Sequence, residues 1–273
     1  METKAIFLFI LFKLAIFGTC TAQDNKELIY KQIGTTKLKI LVYKPDNFSK
    51  AKIHPTIVFF PGGGWYFCKI TQFEAFAQHC VSRGMVAVLA EYRVKSRQKT
   101  TPIEALKDAK SAIRYLRQNA AELGIDPDKI AVSGGSAGGH LAAACSTNLT
   151  INDASDDLVF SSQPNALVLF NPVIDNSAEG YGYDRIKDYY PEFSPIHNIR
   201  KGFPPTAFFV GTNDNLIPVK TAELFKQKIE LVGSRCDLFL YKDQVHGFFN
   251  QPILHADILS KVDAFLQSIG YMD

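Results

Sequence analysis

Apolar positions in this chain fall into short unbroken runs, with longer mixed stretches between them. Residues 56–60, 85–90, 130–133, 166–170, 207–210 and 238–241 are apolar at almost every successive position. That pattern predicts strands covered on both faces. Residues 37–43 alternate instead, which predicts an early, half-exposed strand. The intervening stretches 72–82, 102–123, 137–146, 219–231 and 252–269 fit helices. Thr101 before Pro102, with Glu104 close behind, is a helix start, and Gly124 is the matching stop. The alternation predicts an α/β fold: one domain over residues 23–273 with an open, mostly parallel sheet flanked by helices.

One segment breaks the rhythm. Residues 175–205 hold few apolar runs, several prolines, and Tyr181, Tyr183, Tyr189, Tyr190 and Phe193. A long aromatic insertion after a strand's carboxyl end is a place for a cap or substrate-binding loop. A surface loop whose tyrosines only pack on the body is an equal alternative.

Composition narrows the class. The chain has 273 residues, 47% of them hydrophobic and 21% charged, with a formal net charge of +3. This describes an ordinary globular protein with one large core. A charge so small, with no block of Lys or Arg, argues against nucleic-acid binding. Lys4, an apolar stretch from 5 to 17 broken by Lys13, and small residues before Gln23 predict an export signal over 1–22, cleaved after Ala22. The runner-up is a lipoprotein signal with Cys20 acylated, which Thr19 fits poorly. No later stretch reaches the roughly 18 apolar residues of a spanning helix. The remaining cysteines, Cys68, Cys80, Cys145 and Cys236, fit no zinc spacing, and buried free thiols are the default reading. An exported location permits a disulfide without implying one. No metal or organic cofactor is implied, and the oligomeric state is left open.

The chemistry concentrates at Gly134-Gly135-Ser136-Ala137-Gly138, which follows a β-branched run and precedes a helix-compatible one. Strand, then G-x-S-x-G, then helix is the context of a nucleophile elbow. A Walker-type loop would need Lys where His140 stands, and a dinucleotide loop would open the first βαβ unit rather than lie mid-chain. A serine hydroxyl needs a base, and that base needs an orienting acid. His246, followed by Gly247 after the last strand, is the best base by position. His79 and His255 lie on helix faces, His54 precedes a strand, and His140 sits on the nucleophile helix. Asp214 follows the 207–210 run and is the matching acid. Asp243 is a rival, and an Asx turn before Pro218 is the bland reading of Asp214. Pro61-Gly62-Gly63-Gly64-Trp65 leaves the 56–60 run. Its glycines suit an oxyanion hole, assigned to the N–H groups of Gly63, Gly64 and Ala137.

These motifs together resemble the α/β-hydrolase superfamily, in particular the hormone-sensitive-lipase-like esterases and the acetylxylan- and feruloyl-esterase-like carbohydrate esterases. The resemblance runs through Pro61–Trp65, Glu91-Tyr92-Arg93, Gly124-Ile125-Asp126-Pro127, the elbow, Gly211-Thr212-Asn213-Asp214 and His246-Gly247-Phe248. The order Ser136, Asp214, His246 is the order of that superfamily. The departure is Pro61, where the family has a histidine that braces the oxyanion loop. The resemblance implies a serine esterase acting on acetyl or feruloyl esters of a small molecule or oligosaccharide. Trp65, Tyr181 and Tyr183 are expected at the substrate. The rivals are a peptidase or amidase of the same fold, and a non-catalytic binding protein on the same scaffold.

Overall fold

The computed structural model describes residues 26–49 and 52–273. Its elements are β1 (Lys26–Ile33), β2 (Thr36–Tyr43), β3 (His54–Phe60), α1 (Glu74–Ser82), β4 (Val86–Ala90), α2 (Lys95–Gln98), α3 (Pro102–Gln118) and α4 (Ala120–Leu123). After these come β5 (Ile125–Gly135), α5 (Ala137–Thr147), β6 (Ala166–Phe170), β7 (Thr206–Gly211), α6 (Val219–Leu231), β8 (Cys236–Tyr241) and α7 (Pro252–Ser268). The strands form one sheet in the order β1-β2-β4-β3-β5-β6-β7-β8. β1, β2 and β4 pair antiparallel, and every pairing from β4 through β8 is parallel. The expected α/β-hydrolase architecture is therefore present.

Strand periodicity of two sorts the core into two layers. Val58, Phe60, Val132, Leu167 and Leu169 pack with residues of α3, α5 and α6. Their neighbours Ile57, Phe59, Ala131, Val168 and Phe170 pack with α1 and α7 on the other face. Because both faces are covered, the central strands carry no polar alternation. Thr101 caps α3 as expected: its side chain accepts from Ile103 N, and Glu104 returns a bond to the Thr101 N–H in a capping box. The helix expected over 102–123 breaks at Asn119, and Gly124 closes α4 in the left-handed conformation.

Two expectations change. The first strand, β1, is missing from the apolar pattern because it is an edge strand on which only Tyr30 and Lys31 are buried. Pairing with β2 defines it, together with Lys31, which forms ion pairs with Asp108 and Asp153. His54 opens β3 rather than preceding it, is 1% exposed and stacks on Phe48. Asp108, fully buried, also takes Arg93 in a two-pronged contact and accepts from the Arg93 N–H, fixing the chain just after β4.

The cysteines at 68, 80, 145 and 236 are all free. Burial pushes the Cys80, Cys145 and Cys236 thiols up to about 12, which keeps them protonated and inert. Among the described residues no helix is long and apolar enough to cross a membrane. The expected export signal over 1–22 and Cys20 lie outside the described residues.

The segment 175–205 carries three short 3-10 turns, at Tyr183–Arg185, Lys187–Tyr189 and Pro195–His197. It is seated on α5 by Phe193, whose ring lies 4.2 Å from that of His140 and whose carbonyl oxygen accepts from His140 Nε2 at 2.9 Å. His140 is fully buried, and desolvation pushes its pKa down from 6.5 to about 4. The unfolded chain takes up this proton near pH 6.5 and the folded chain only near 4, so the fold loses stability as the pH falls through that window. From this residue alone the loss between pH 7 and pH 5 is expected to be about 2 kcal/mol. Urea unfolding of wild type and His140→Phe at both pH values measures it. An equal loss in the two proteins would show that another group is responsible.

Candidate active site

β5 runs into α5 through one residue, Ser136. Its backbone sits at φ 52° and ψ −117°, a region that residues with a side chain avoid. The turn is close because its flanking glycines admit other backbone. A Cβ on Gly138 would lie 2.0 Å from the Phe60 carbonyl oxygen, and one on Gly134 would lie 2.4 Å from the backbone of Gly138. The half-buried hydroxyl therefore projects at the carboxyl end of the sheet, beside the N-terminus of α5.

His246 and Asp214 reach it from loops after β8 and β7. His246 Nε2 lies 2.9 Å from Ser136 Oγ, and His246 Nδ1 lies 2.8 Å from Asp214 Oδ2. A carboxylate only accepts, so Nδ1 carries the proton and Nε2 is free to accept from the serine hydroxyl. Asp214 is 5% exposed, and its Oδ1 accepts from the N–H groups of Leu216 and Ile217, both at 2.9 Å. The turn before Pro218 and the contact with histidine are thus made by one carboxylate, one oxygen each. Asp243 is exposed and forms no bond with His246. The other histidines are engaged elsewhere: His79 with Asp263, His197 with Ser194 and His255 with the Phe249 carbonyl.

The glycine loop after β3 faces this trio. Gly62, Gly63 and Gly64 line a cavity of about 550 Å³ together with Ser136 and His246. The Gly62 N–H is already taken, donating to Gln72 Oε1 at 2.6 Å. Among the described residues the N–H groups of Gly63 and Gly64 donate to nothing, and Ala137 is the first residue of α5, where N–H groups are unpaired. The loop is braced without a histidine at position 61. Tyr92 Oη donates to the Pro61 carbonyl at 2.6 Å, and Arg185 Nη1 donates to the Gly64 carbonyl at 2.7 Å.

A model of the BD-FAE family matches residues 40–180, and one of the dienelactone hydrolase family matches residues 171–270. Esterase 2 of Thermogutta terrifontis, in a structure phosphoramylated by tabun, superposes with a TM-score of 0.87 at 41% identity, covering 91% of this chain and 96% of its own. The chain belongs to the BD-FAE family. Among curated relatives, an acetylxylan esterase of Xylanibacter ruminicola is 26% identical over 88% of this chain and 50% of its own length. The carboxylesterase NlhH of Mycobacterium tuberculosis is 28% identical over 80% of this chain and 73% of its own. The chain spans about half the length of the first curated relatives it matches.

In this BD-FAE family member the residues expected at the substrate divide. Tyr181 lines the Ser136 cavity. Trp65 and Tyr183 do not. Trp65 is 2% exposed and turned into the core, its ring 5.2 Å from His140 and 6.0 Å from Phe193. Tyr183 packs edge-on against Tyr190. The wall positions go to Tyr66 and Phe67, 56% and 59% exposed.

Several residues at the site were not anticipated. Buried Asn171 places Nδ2 3.4 Å from His246 Nε2, and its Oδ1 accepts from the Gly247 N–H at 3.1 Å. It follows β6 directly, at the sheet edge where ligands bind in open α/β folds, and that position was its only signal. Gln72 couples the two sides of the cavity: beyond its bond to Gly62, its Nε2 donates to Asn250 Oδ1 at 3.1 Å, and Asn250 Nδ2 donates to the Gly247 carbonyl at 3.0 Å. Gln72 therefore positions the glycine loop relative to His246. Gln72→Ala is expected to lower kcat on 4-nitrophenyl acetate on the order of 10- to 100-fold while KM changes little. Gln72→Glu keeps the acceptor for Gly62 but loses the donor to Asn250, and its kcat is expected to fall between those of wild type and the alanine variant. Unchanged kcat in the alanine variant would detach this brace from the chemistry.

Proposed function

We propose that the chain hydrolyses carboxylic esters through an acyl-enzyme on Ser136. Ser136 Oγ attacks the ester carbonyl carbon as His246 Nε2 takes the hydroxyl proton. The developing oxyanion is held by the N–H groups of Gly63, Gly64 and Ala137. Asp214 keeps His246 in the productive tautomer and stabilises the imidazolium. Collapse of the tetrahedral intermediate breaks the carbon–oxygen bond to the alcohol, which leaves with the proton from His246. Water then repeats the attack on the acyl-enzyme, giving up its proton to His246, and the carboxylic acid departs as Ser136 recovers its hydrogen. The observation that carries this reading is the unbroken Ser136–His246–Asp214 contact facing unpaired loop amides.

For the substrate we propose an acetyl or feruloyl ester on a carbohydrate. The likeness to the acetylxylan esterase supports the acetyl group and the sugar. Esterase 2 of T. terrifontis, solved with propionate and with butyrate bound, supports a short acyl chain. Exposed Tyr66, Phe67 and Leu216 on the cavity wall offer apolar surface for a sugar ring or an aromatic acyl group. The segment 175–205 serves as the substrate-side cap, contributing Tyr181 and Arg185 to that wall. Residues 1–22 direct export, which puts the enzyme where polymeric carbohydrate is found.

Ser136→Ala is expected to lower kcat/KM on 4-nitrophenyl acetate by at least about a thousandfold, with the fold intact. Asp214→Asn is expected to fall in the same direction. Equal turnover by wild type and Ser136→Ala would remove the proposed nucleophile. Acetylated and feruloylated xylo-oligosaccharides are expected to be cleaved faster than 4-nitrophenyl esters of the same acids, and the reverse ranking would dismiss the carbohydrate.

A further inference from the structure

We propose that a second cavity, bordering the first at Gly64, is a carboxylate subsite, and that the ester cleaved at Ser136 carries an anionic group seated there. The inference rests on the esterase reading above and deepens it. The second cavity is about 410 Å³, and Gly64, Tyr66 and Arg185 line both. A substrate at Ser136 that extends past Gly64 therefore enters it.

Its lining is cationic. Lys95, Lys99 and Arg185 face it, against one acid, Asp184. The way these cations are committed is informative. Arg97, next to them on α2, is neutralised by Glu91 at 2.6 Å. Among the described residues Lys95, Lys99 and Arg185 form no ion pair, and Lys99 has only a 3.3 Å bond to the Ser96 carbonyl. Arg185 lies over the rings of Trp65 and Tyr181 and spends one nitrogen on Gly64. That leaves the rest of a planar guanidinium to meet an oxygen anion. The Thr100 hydroxyl, also in the lining, is buried and has no partner, so it is a donor without an acceptor.

The cavity is built rather than incidental. Lys95 N donates to the Trp65 carbonyl at 3.1 Å and Ser96 N to the Tyr66 carbonyl at 2.9 Å, tying α2 to the glycine loop. The Arg93–Asp108 contact fixes α2 from the other side. The start of α3 adjoins the cavity, but its amides are unavailable to a ligand. Pro102 has no N–H, Ile103 N donates to Thr101, and the Glu104 carboxylate takes the Thr101 N–H and hydroxyl. A site of side-chain cations without a cradle of backbone N–H groups suits a singly charged carboxylate better than a phosphate.

The carboxylate has two possible sources, the acid or the alcohol of the ester, and paired substrates separate them. For the acid side, 4-nitrophenyl hemiglutarate is compared with 4-nitrophenyl pentanoate. For the alcohol side, an acetylated methyl glucuronoside is compared with the acetylated methyl glucoside. In one pair the charged ester is expected to have a kcat/KM about tenfold above its neutral partner at low salt. Lys95→Gln combined with Lys99→Gln is expected to abolish that preference through KM, leaving kcat and the neutral ester unchanged. Added salt should erode the preference in wild type only. No preference in either pair, or a preference that survives in the double variant, overturns the subsite. Labelling by a fluorophosphonate probe reports separately on Ser136. A labelled wild type without the preference loses only the subsite, whereas an unlabelled wild type loses the esterase reading itself.

Discussion

The backbone at Ser136 occupies a conformation that costs a residue with a side chain on the order of 1–3 kcal/mol. The surrounding sheet and helix hold it there. Ser136 N donates to the Phe170 carbonyl of β6 at 3.0 Å, and the Ser136 carbonyl accepts from His140 N and Val173 N. Phe60, the last residue of β3, presses its carbonyl against Gly138. Three adjacent strands and one helix thus meet at a single peptide unit. Any shift of β3 or β6 along the sheet would misplace the hydroxyl, so the parallel register and the serine geometry are one constraint.

Everything else at the site is placed relative to that point by strand order. β7 and β8 lie beyond β6 and run parallel to it, so their carboxyl-end loops deliver Asp214 and His246 to the same edge that presents Ser136. β3, on the other side of β5, delivers the glycine loop. Loops from non-consecutive strands need cross-bracing, and short side-chain amides supply it. Asn171 ties the strand beneath the site to Gly247, and Gln72 with Asn250 spans from the glycine loop to the same glycine. The two hydrogen-bonded routes converge on the residue after His246, so the imidazole is held from both sides of the cavity.

This division explains which features were legible in the sequence. Central strands buried on both faces must be apolar throughout, and a nucleophile turn must be flanked by glycines, so β3 to β8 and the elbow stand out. The Ser136, Asp214, His246 set is readable because each follows an apolar run. β1 is not, since an edge strand stabilised by Lys31 and Tyr30 has no apolar alternation. Gln72 and Asn250 are ordinary polar residues whose partners are 178 positions apart, and only the folded chain brings them together. Trp65, expected at the substrate, turns its ring toward His140 and lines the second cavity, while Tyr66 and Phe67 take the wall beside Ser136.

Proline at position 61 changes how the glycine loop is secured, and it links the loop to the charge beside it. A histidine there could donate a hydrogen bond; proline fixes its own φ and donates nothing. Tyr92, Gln72 and Arg185 take up the load from outside the loop, through the Pro61 carbonyl, the Gly62 N–H and the Gly64 carbonyl. The first two braces are a buried phenol and a neutral amide, and neither carries a charge. Arg185 differs, because it comes from the segment after β6 and its guanidinium borders both cavities. An anion on its free edge would hold the same side chain that holds Gly64, so substrate charge and oxyanion geometry would be set by one residue. On this argument the segment 175–205 supplies the charged brace of the glycine loop, the one that borders both cavities.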